Sequence, residues 1–183
     1  MIPIESIFLL NKWVSISIVQ SLNQVIEKAG FDMTCAIKWP NDILLNDKKI
    51  GGILIENSLR GHHIEYSIVG IGLNINEISF PNELIHASSF RSIFNQEWNR
   101  HAILKSILES LETQYLKLKS QPYAFSDEVY ESHLYRVHEP HFFKIEENIV
   151  QGTIRGITSQ GKLKVEIEGE IKTFYFKEIE LVY

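Results

Sequence analysis

Hydrophobic positions recur at helical spacing in two long stretches of the chain. The first stretch is Ile4–Ala29, where apolar side chains return every three or four residues and Gly30 follows in the position of a C-terminal cap. The second stretch is Asn99–Lys119, which has the same period. Another helix is expected to begin near Pro122 and to end before Pro140. The pattern therefore predicts a long amphipathic helix at each end of a central region, followed by one further helix.

The central region consists of short β-rich runs separated by turn residues. The runs are Thr34–Trp39, Ile43–Leu45, Lys49–Asn57 and Ile64–Asn74. Turn signals stand between them at Asn46-Asp47 and Arg60-Gly61. Because short turns join neighbouring antiparallel strands, we expect an antiparallel meander that packs on the first helix.

The pattern changes after Pro140, where helical spacing gives way to short strands. The runs are Phe142–Ile145, Ile149–Ile157, Lys162–Ile167 and Ile171–Phe176, with turns at Glu147-Asn148, Gln160-Gly161 and Gly169. Closely spaced short strands are typical of a small β-barrel. We therefore divide the chain into two domains, residues 1–137 and residues 138–183.

Composition narrows the classes of function. The chain has 183 residues and a formal net charge of -5, so we expect no nucleic-acid partner, since phosphate-backbone binding relies on clustered cations. No apolar run approaches the roughly 20 residues that cross a bilayer, and we expect no membrane segment and no signal peptide. The single cysteine, Cys35, has no partner for an internal disulfide, which favours a reducing cytoplasm.

Three segments within about forty residues predict a ligand site. They are Lys38-Trp39-Pro40-Asn41-Asp42, Lys48–Leu54 and Gly70–Asn76. Pro40 fixes its own φ and ends the strand before it, so that Asn41 and Asp42 stand at the mouth of that strand. Lys49 then enters a second strand whose adjacent glycines let a bound molecule approach the backbone.

Each of these residues also has an interpretation without a ligand. Lys49 can be a solvated lysine at a strand end, and Asp42 can be an ordinary turn aspartate. Glycines in strands can mark bulges, and Trp39 can belong to the core. The residues alone leave these alternatives open.

The sequence KWPND, the strand KIGGIL, the strand GIGLNIN and the small C-terminal barrel resemble biotin protein ligase, and Arg155–Gly161 adds the pattern RGI-x-x-x-G. The resemblance implies an α+β fold in which a mixed or antiparallel sheet packs with helices. That part would be a truncated catalytic domain like that of class II aminoacyl-tRNA synthetases, followed by an SH3-like β-barrel. It implies activation of biotin with ATP as biotinyl-5'-AMP, then transfer to a lysine of a carboxylase's biotin carboxyl carrier domain.

The resemblance also assigns roles to individual residues. Lys49 would bridge the biotin carboxyl group and the α-phosphate, and Asp42 would orient the acceptor lysine and help to remove its proton. Asn41 would lie by the triphosphate and its Mg²⁺. The other implied biotin contacts are Gly51, Gly52, Ile53, Leu54 and Gly70, and the other implied ATP contacts are Gly72 and Asn74.

One departure from the family pattern shapes these expectations. Family members carry a Ser/Thr-rich biotin contact and a Gly-Arg-Gly-Arg-type loop before this region, and neither occurs in this sequence. We therefore expect impaired catalysis, and exposed sheet edges that favour a homo-oligomer or complementation by a separate fragment. The alternative function is a non-catalytic remnant or carrier-binding module of the same family. A lipoate-type ligase is disfavoured, since KWPND with KIGGIL suits the biotin branch better.

Overall fold

The computed structural model describes residues 7–120 and 127–182. The helices are α1 (Ile7–Lys28), α2 (Phe90–Phe94), α3 (Arg100–Ser120) and α4 (Asp127–Glu131). The strands are β1 (Cys35–Lys38), β2 (Asp42–Leu45), β3 (Lys48–Arg60), β4 (His63–Leu73), β5 (Pro140–Ile145), β6 (Asn148–Ile157), β7 (Leu163–Ile167), β8 (Glu170–Phe174) and β9 (Glu180–Leu181). No helix within these ranges is long and apolar enough to cross a membrane.

The first sheet is the antiparallel meander predicted from the sequence, in the order β1-β2-β3-β4. Helix α1 supplies much of the core beneath it, since Val14, Ile18 and Leu22 are fully buried. Gly30 ends this helix with φ +84°, and the amide of Phe31 bonds back to the carbonyl of Ile26 at 3.2 Å. The part of the predicted helix before Ile7 lies outside the described residues.

Helix α3 packs against α1 through small polar side chains rather than through apolar ones alone. Ser21 donates to the hydroxyl of Ser106 at 3.0 Å, and Ser110 donates to the carbonyl of Ser17 at 2.9 Å. These bonds satisfy hydroxyl groups that the interface removes from water. The long helix α1 is therefore held between the sheet and α3.

The second sheet has the strand order β8-β7-β6-β5-β9, with antiparallel pairing throughout. Strand β9 returns to pair with β5, where Phe143 faces Leu181. Both side chains are buried in the barrel core. The α+β fold with two antiparallel sheets confirms the predicted fold class, although the short β9 was not predicted.

The segment between the two sheets corrects the helix expected from Pro122 to Pro140. Pro122 lies outside the described residues, and the helix that is described, α4, ends at Glu131. Beyond it the chain runs through turns that carry isolated bridges: Tyr135 donates its amide to the carbonyl of Ile37 at 2.8 Å, and Val137 forms a bridge with Ile154. We call residues 132–139 the connector. Backbone pairing with both sheets outweighs its helical pattern, and the division at residue 137 remains a prediction.

Candidate functional site

The KWPND turn joins β1 to β2 and is fixed to β3 by reciprocal hydrogen bonds. The side-chain amide of Asn41 donates to the carbonyl of Ile53 at 2.7 Å, and the amide of Ile53 donates to the carbonyl of Asn41 at 2.9 Å. The Trp39-Pro40 peptide is cis. Asp42 begins β2 and lies directly opposite Gly52 of β3. The turn therefore places Asp42 at the start of β2, beside the glycine-bearing strand.

A β-bulge brings Lys49 to the same place. Ile43 pairs with Gly51 and Leu44 pairs with Lys49, so Ile50 is the extra residue and is buried. A bulge re-aims the side chain beside it. As a result, the Lys49 ammonium lies 2.6 Å from Oδ1 of Asp42, although the two side chains remain 46% and 22% exposed.

Three glycines form an open surface beside this ion pair. Gly52 lies opposite Gly72, and Leu54 lies opposite Gly70, so all four residues share one face of the sheet. Leu54 is 63% exposed on that face. We call Gly52, Leu54, Gly70 and Gly72 the glycine trough.

Neither backbone conformation nor packing requires glycine in the trough. A Cβ atom at Gly52 would lie 3.5 Å from Oδ1 of Asp42, one at Gly70 would have its nearest contact at 3.7 Å, and one at Gly72 would have no neighbour within 4 Å. None of the three has a left-handed φ. Alanine would therefore fit at these positions. The space that the glycines leave open is not filled by any described residue.

The structure does not bring all the predicted biotin contacts together. Gly51 and Ile53 lie on the opposite, buried face of β3, and Ile53 belongs to the hydrophobic core. A Cβ atom at Gly51 would lie 2.5 Å from the carbonyl oxygen of Gly72, so close packing of β3 and β4 accounts for this glycine. The trough is formed by Gly52, Leu54, Gly70 and Gly72 without them.

The predicted ATP contact Asn74 uses its amide within the protein. Its side chain donates to the carbonyl of Ser88 at 3.1 Å, and its backbone amide donates to the carbonyl of Ile50 at 2.7 Å. The neighbouring segment also flanks Lys49, whose backbone amide donates to the carbonyl of His86 at 2.7 Å. Asn74 thus holds the segment 86–90 beside the strand that carries Lys49.

A cavity of about 500 Å³ adjoins the ion pair. Its first wall is formed by residues 38–42, Lys49, Leu134 and Tyr135, and its second wall by barrel residues that include Phe176, Lys177 and Glu180. We call it the inter-sheet cavity. Asp42 and Lys49 line this cavity and also border the trough at Gly52, so they lie where two potential binding surfaces meet.

Tyr135 links the cavity wall to the turn before Lys49. Its hydroxyl donates to Oδ1 of Asp47 at 2.6 Å and accepts from Nε of Arg136 at 2.7 Å. Burial, followed by the bond to Asp47, raises the pKa of Tyr135 to about 12. Burial and the charge of Arg136 lower the pKa of His141 nearby. Sequence reasoning missed this cluster, because 88 residues separate Tyr135 from Asp47.

Two family models match the chain. Residues 3–74 match the biotin/lipoate A/B protein ligase family, and residues 143–182 match the biotin protein ligase C terminal domain. The first match contains the turn, the ion pair and the glycine trough, and the second contains most of the barrel. The fold and site therefore define a protein of the biotin and lipoate ligase class.

Individual relatives point to one branch of that class. The chain is 30% identical to the bifunctional ligase/repressor BirA of Bacillus subtilis over 183 residues, which is 98% of this chain and 55% of that protein. It is 29% identical to the chloroplastic biotin–protein ligase 1 of Arabidopsis thaliana, over 82% of this chain and 42% of that one. The apo structure of biotin protein ligase from Aquifex aeolicus superposes with a TM-score of 0.76 at 25% identity, covering 97% of this chain and 76% of that one.

The chain belongs to the biotin protein ligase family. It spans about half the length of the curated relatives that it matches over nearly its whole length.

Proposed function

We propose that this chain carries the biotin-activating site of an ATP-dependent biotin–protein ligase. The reaction joins biotin to AMP and then transfers biotin to a lysine of a biotin carboxyl carrier domain. The observation that carries the proposal is the Lys49–Asp42 ion pair, placed between the glycine trough and the inter-sheet cavity. A solved structure of the Aquifex aeolicus ligase, 25% identical to this chain, holds biotin and ATP and supports the same two substrates.

Biotin would bind on the glycine trough. The molecule is largely hydrocarbon and sulfur, and Leu54 offers an exposed apolar side chain beside three glycines whose backbone is open to contact. Gly51 and Ile53 would shape the strand from its buried face. The carboxylate of biotin would then point toward Lys49 at the end of the trough.

Lys49 would neutralise the charge of the first step. An oxygen of the biotin carboxylate attacks the α-phosphorus, the bond from that phosphorus to its bridging oxygen breaks, and pyrophosphate leaves. Negative groups converge as the bond forms, so a compact ammonium within reach of both lowers the barrier. Because the Lys49 ammonium lies 2.6 Å from Oδ1 of Asp42, we propose that it turns toward the carboxylate and phosphate when they bind.

Asp42 would act in the second step. When Lys49 turns to the adenylate, the carboxylate of Asp42 is released to accept a proton from the acceptor amine. The amine nitrogen attacks the acyl carbon, the bond from that carbon to the phosphate oxygen breaks, and AMP leaves. The carrier lysine would enter through the inter-sheet cavity, since Asp42 lines it.

ATP would lie near Asn41, Gly72 and Asn74, which are the contacts that the resemblance implies. The described residues hold no group of three side chains suited to a metal ion. Mg²⁺ would therefore be held mainly by the phosphates of the nucleotide, as is usual for this ion, with Asn41 as its protein contact.

We also propose a cytoplasmic location, where ATP and carrier domains are present. Self-association stays a prediction: within the described residues β4 is an edge strand, and its side chains Tyr66 and Ile68 are exposed. Elution as a monomer across micromolar concentrations would contradict it.

The ligase assay combines the chain with ATP, labelled biotin and a carrier domain, and follows pyrophosphate and labelled carrier. The test variant is Lys49→Ala and the matched control is Lys48→Ala, whose ammonium contacts only the carbonyl of Ile85 at 3.4 Å among the hydrogen bonds described. We expect Lys49→Ala to lower adenylate formation about a hundredfold or more and Lys48→Ala to leave it unchanged. Absence of label with the unmodified chain would reject autonomous catalysis, and retained carrier binding would then favour the non-catalytic alternative.

A further inference from the structure

Trp39 lies in the connection from β1 to β2 and contacts the barrel. Its indole Nε1–H donates to the carbonyl of Gly161 at 2.9 Å, across 122 positions of the chain. Gly161 lies in the tight turn between β6 and β7, where its amide donates to the carbonyl of Thr158 at 2.9 Å. The ring of Trp39 is partly buried and packs against the hydrophobic core, so both the hydrogen bond and packing hold it.

The barrel around this turn packs against helices α1 and α4. Gly161 has φ +85°, and a Cβ atom there would lie 2.2 Å from the ring of Phe8 on α1. Gly156 has φ +105°, and a Cβ atom there would lie 1.9 Å from the carboxylate of Glu131 at the end of α4. That carboxylate also accepts the amide of Ile157 at 3.2 Å. The RGI-x-x-x-G pattern therefore supplies the two glycines that let the barrel approach this closely.

Trp39 is close in sequence to Asp42, the residue proposed to act in the transfer step. It stands three residues before Asp42, in the connection from β1 to β2. Asn41 is fixed to Ile53 on one side, and Trp39 is fixed to Gly161 on the other. The position of Asp42 is thus determined by bonds to β3 and to the barrel together.

We propose that Trp39 is a positioning residue, which uses the docked barrel to hold the KWPND turn and so places Asp42 for the transfer step. The contacts above support its effect on docking of the barrel against the KWPND turn. Its effect on transfer rests on the proposed function. Loss of the indole N–H would allow the barrel turn to separate from the KWPND turn, and Asp42 would be displaced from the path of the acceptor amine.

Hydrogen exchange tests the docking without any catalytic activity. The amide of Ile157 is the reporter, because it bonds to Glu131 across the contact. We expect Trp39→Phe to speed its exchange about tenfold, the effect of losing one hydrogen bond that supports docking, while amides within β7 keep their rates. The matched control is Trp13→Phe, since the indole nitrogen of Trp13 has no hydrogen-bond partner among the described residues.

A second variant, Gly161→Ala, tests whether Trp39 and Gly161 act through the same contact. Gly161→Ala forces a left-handed alanine against the Phe8 ring and should speed exchange at Ile157 more than Trp39→Phe does. Adding Trp39→Phe to it should then have little further effect, because the two changes remove one shared contact. Unchanged exchange at Ile157 in Trp39→Phe, or equal acceleration in Trp13→Phe, would overturn the proposal.

Kinetics test the link to transfer. With an active chain, Trp39→Phe should lower kcat for transfer about tenfold with the KM for biotin within about twofold, because misplacement of a reacting group acts on the rate more than on binding. A kcat equal to that of Trp13→Phe would overturn the link. If the unmodified chain forms no adenylate, the proposed function fails, while the exchange measurement still decides the docking.

Discussion

The glycines of the trough and two glycines of the barrel have opposite surroundings. In the first sheet, Gly52, Gly70 and Gly72 have ordinary strand conformations and no neighbour closer than 3.5 Å to an added Cβ atom. In the barrel, Gly156 and Gly161 have left-handed φ values, and an added Cβ atom would meet another side chain within 2.2 Å. Gly156 and Gly161 are therefore explained by the fold itself, whereas the fold does not account for the glycines of the trough.

This contrast identifies the surface on which chemistry is expected. Where backbone conformation or packing already requires glycine, the residue is not evidence for ligand binding. Where the fold would accept alanine, the empty space requires another explanation. The Lys49–Asp42 pair lies at the edge of the second kind of surface.

The largest effect expected on the transfer step is that of Asp42→Asn. The amide keeps the shape of the carboxylate but cannot accept the amine proton, so we expect transfer from preformed adenylate to fall about a hundredfold. Single-turnover transfer measures this, with Asp32→Asn as the control, since Asp32 is an exposed loop residue outside the site. An equal rate in both variants would show that Asp42 is a turn residue only.

The next expected effect is a loss of stability on the buried face of β3. Gly51→Ala places a methyl group 2.5 Å from the carbonyl oxygen of Gly72, so we expect it to lower the free energy of unfolding by about 2 kcal/mol. Urea unfolding with an unchanged m-value would measure the loss. Stability within about 0.5 kcal/mol of the unmodified chain would contradict the packing described for this glycine.

Gly72→Ala tests the exposed face of the first sheet, in contrast to Gly51→Ala on the buried face. Its methyl group would meet nothing within 4 Å, so we expect the free energy of unfolding to change by less than about 0.5 kcal/mol. The same methyl group would occupy the trough, and biotin affinity measured by calorimetry should fall about tenfold, as for a steric loss of about 1.4 kcal/mol. Unchanged affinity would remove Gly72 from the binding surface.

The smallest effect concerns the pH dependence of stability at Tyr135. Its folded pKa of about 12 exceeds the ordinary value of 10.0, so the folded state retains the proton more firmly than the unfolded chain. The associated stability is present below pH 10 and is lost as the pH rises toward 12. Tyr135→Phe removes this group, and its urea midpoint should fall less between pH 9 and pH 11 than that of the unmodified chain. Equal slopes would contradict the shift.

Local pattern was enough to predict most of the first sheet. Short β-rich runs and the turns at Asn46-Asp47 and Arg60-Gly61 predict an antiparallel meander. The KWPND turn was also predictable, because Pro40 ends β1 and leaves Asp42 to begin β2. The resemblance to a family then gave the chemistry that pattern alone left open.

Contacts between distant segments were not predictable from the sequence. The helix expected through residue 139 ends at Glu131, because the connector finds backbone partners in Ile37 and Ile154. Similarly, nothing near Trp39 indicates that its indole bonds to Gly161. The buried face of Gly51 and Ile53 depends on the bulge at Ile50, a register shift of one residue that the run KIGGIL does not reveal.

A crystal structure of the chain with a non-hydrolysable biotinyl-adenylate analogue would test most directly whether biotin binds on the glycine trough beside Lys49. We predict that the biotin rings lie on the trough formed by Gly52, Leu54, Gly70 and Gly72. We also predict that the Lys49 ammonium lies within about 3 Å of an acyl or phosphate oxygen and is released from Asp42. An analogue bound elsewhere, or Lys49 still paired with Asp42 while the trough is filled, would contradict this prediction.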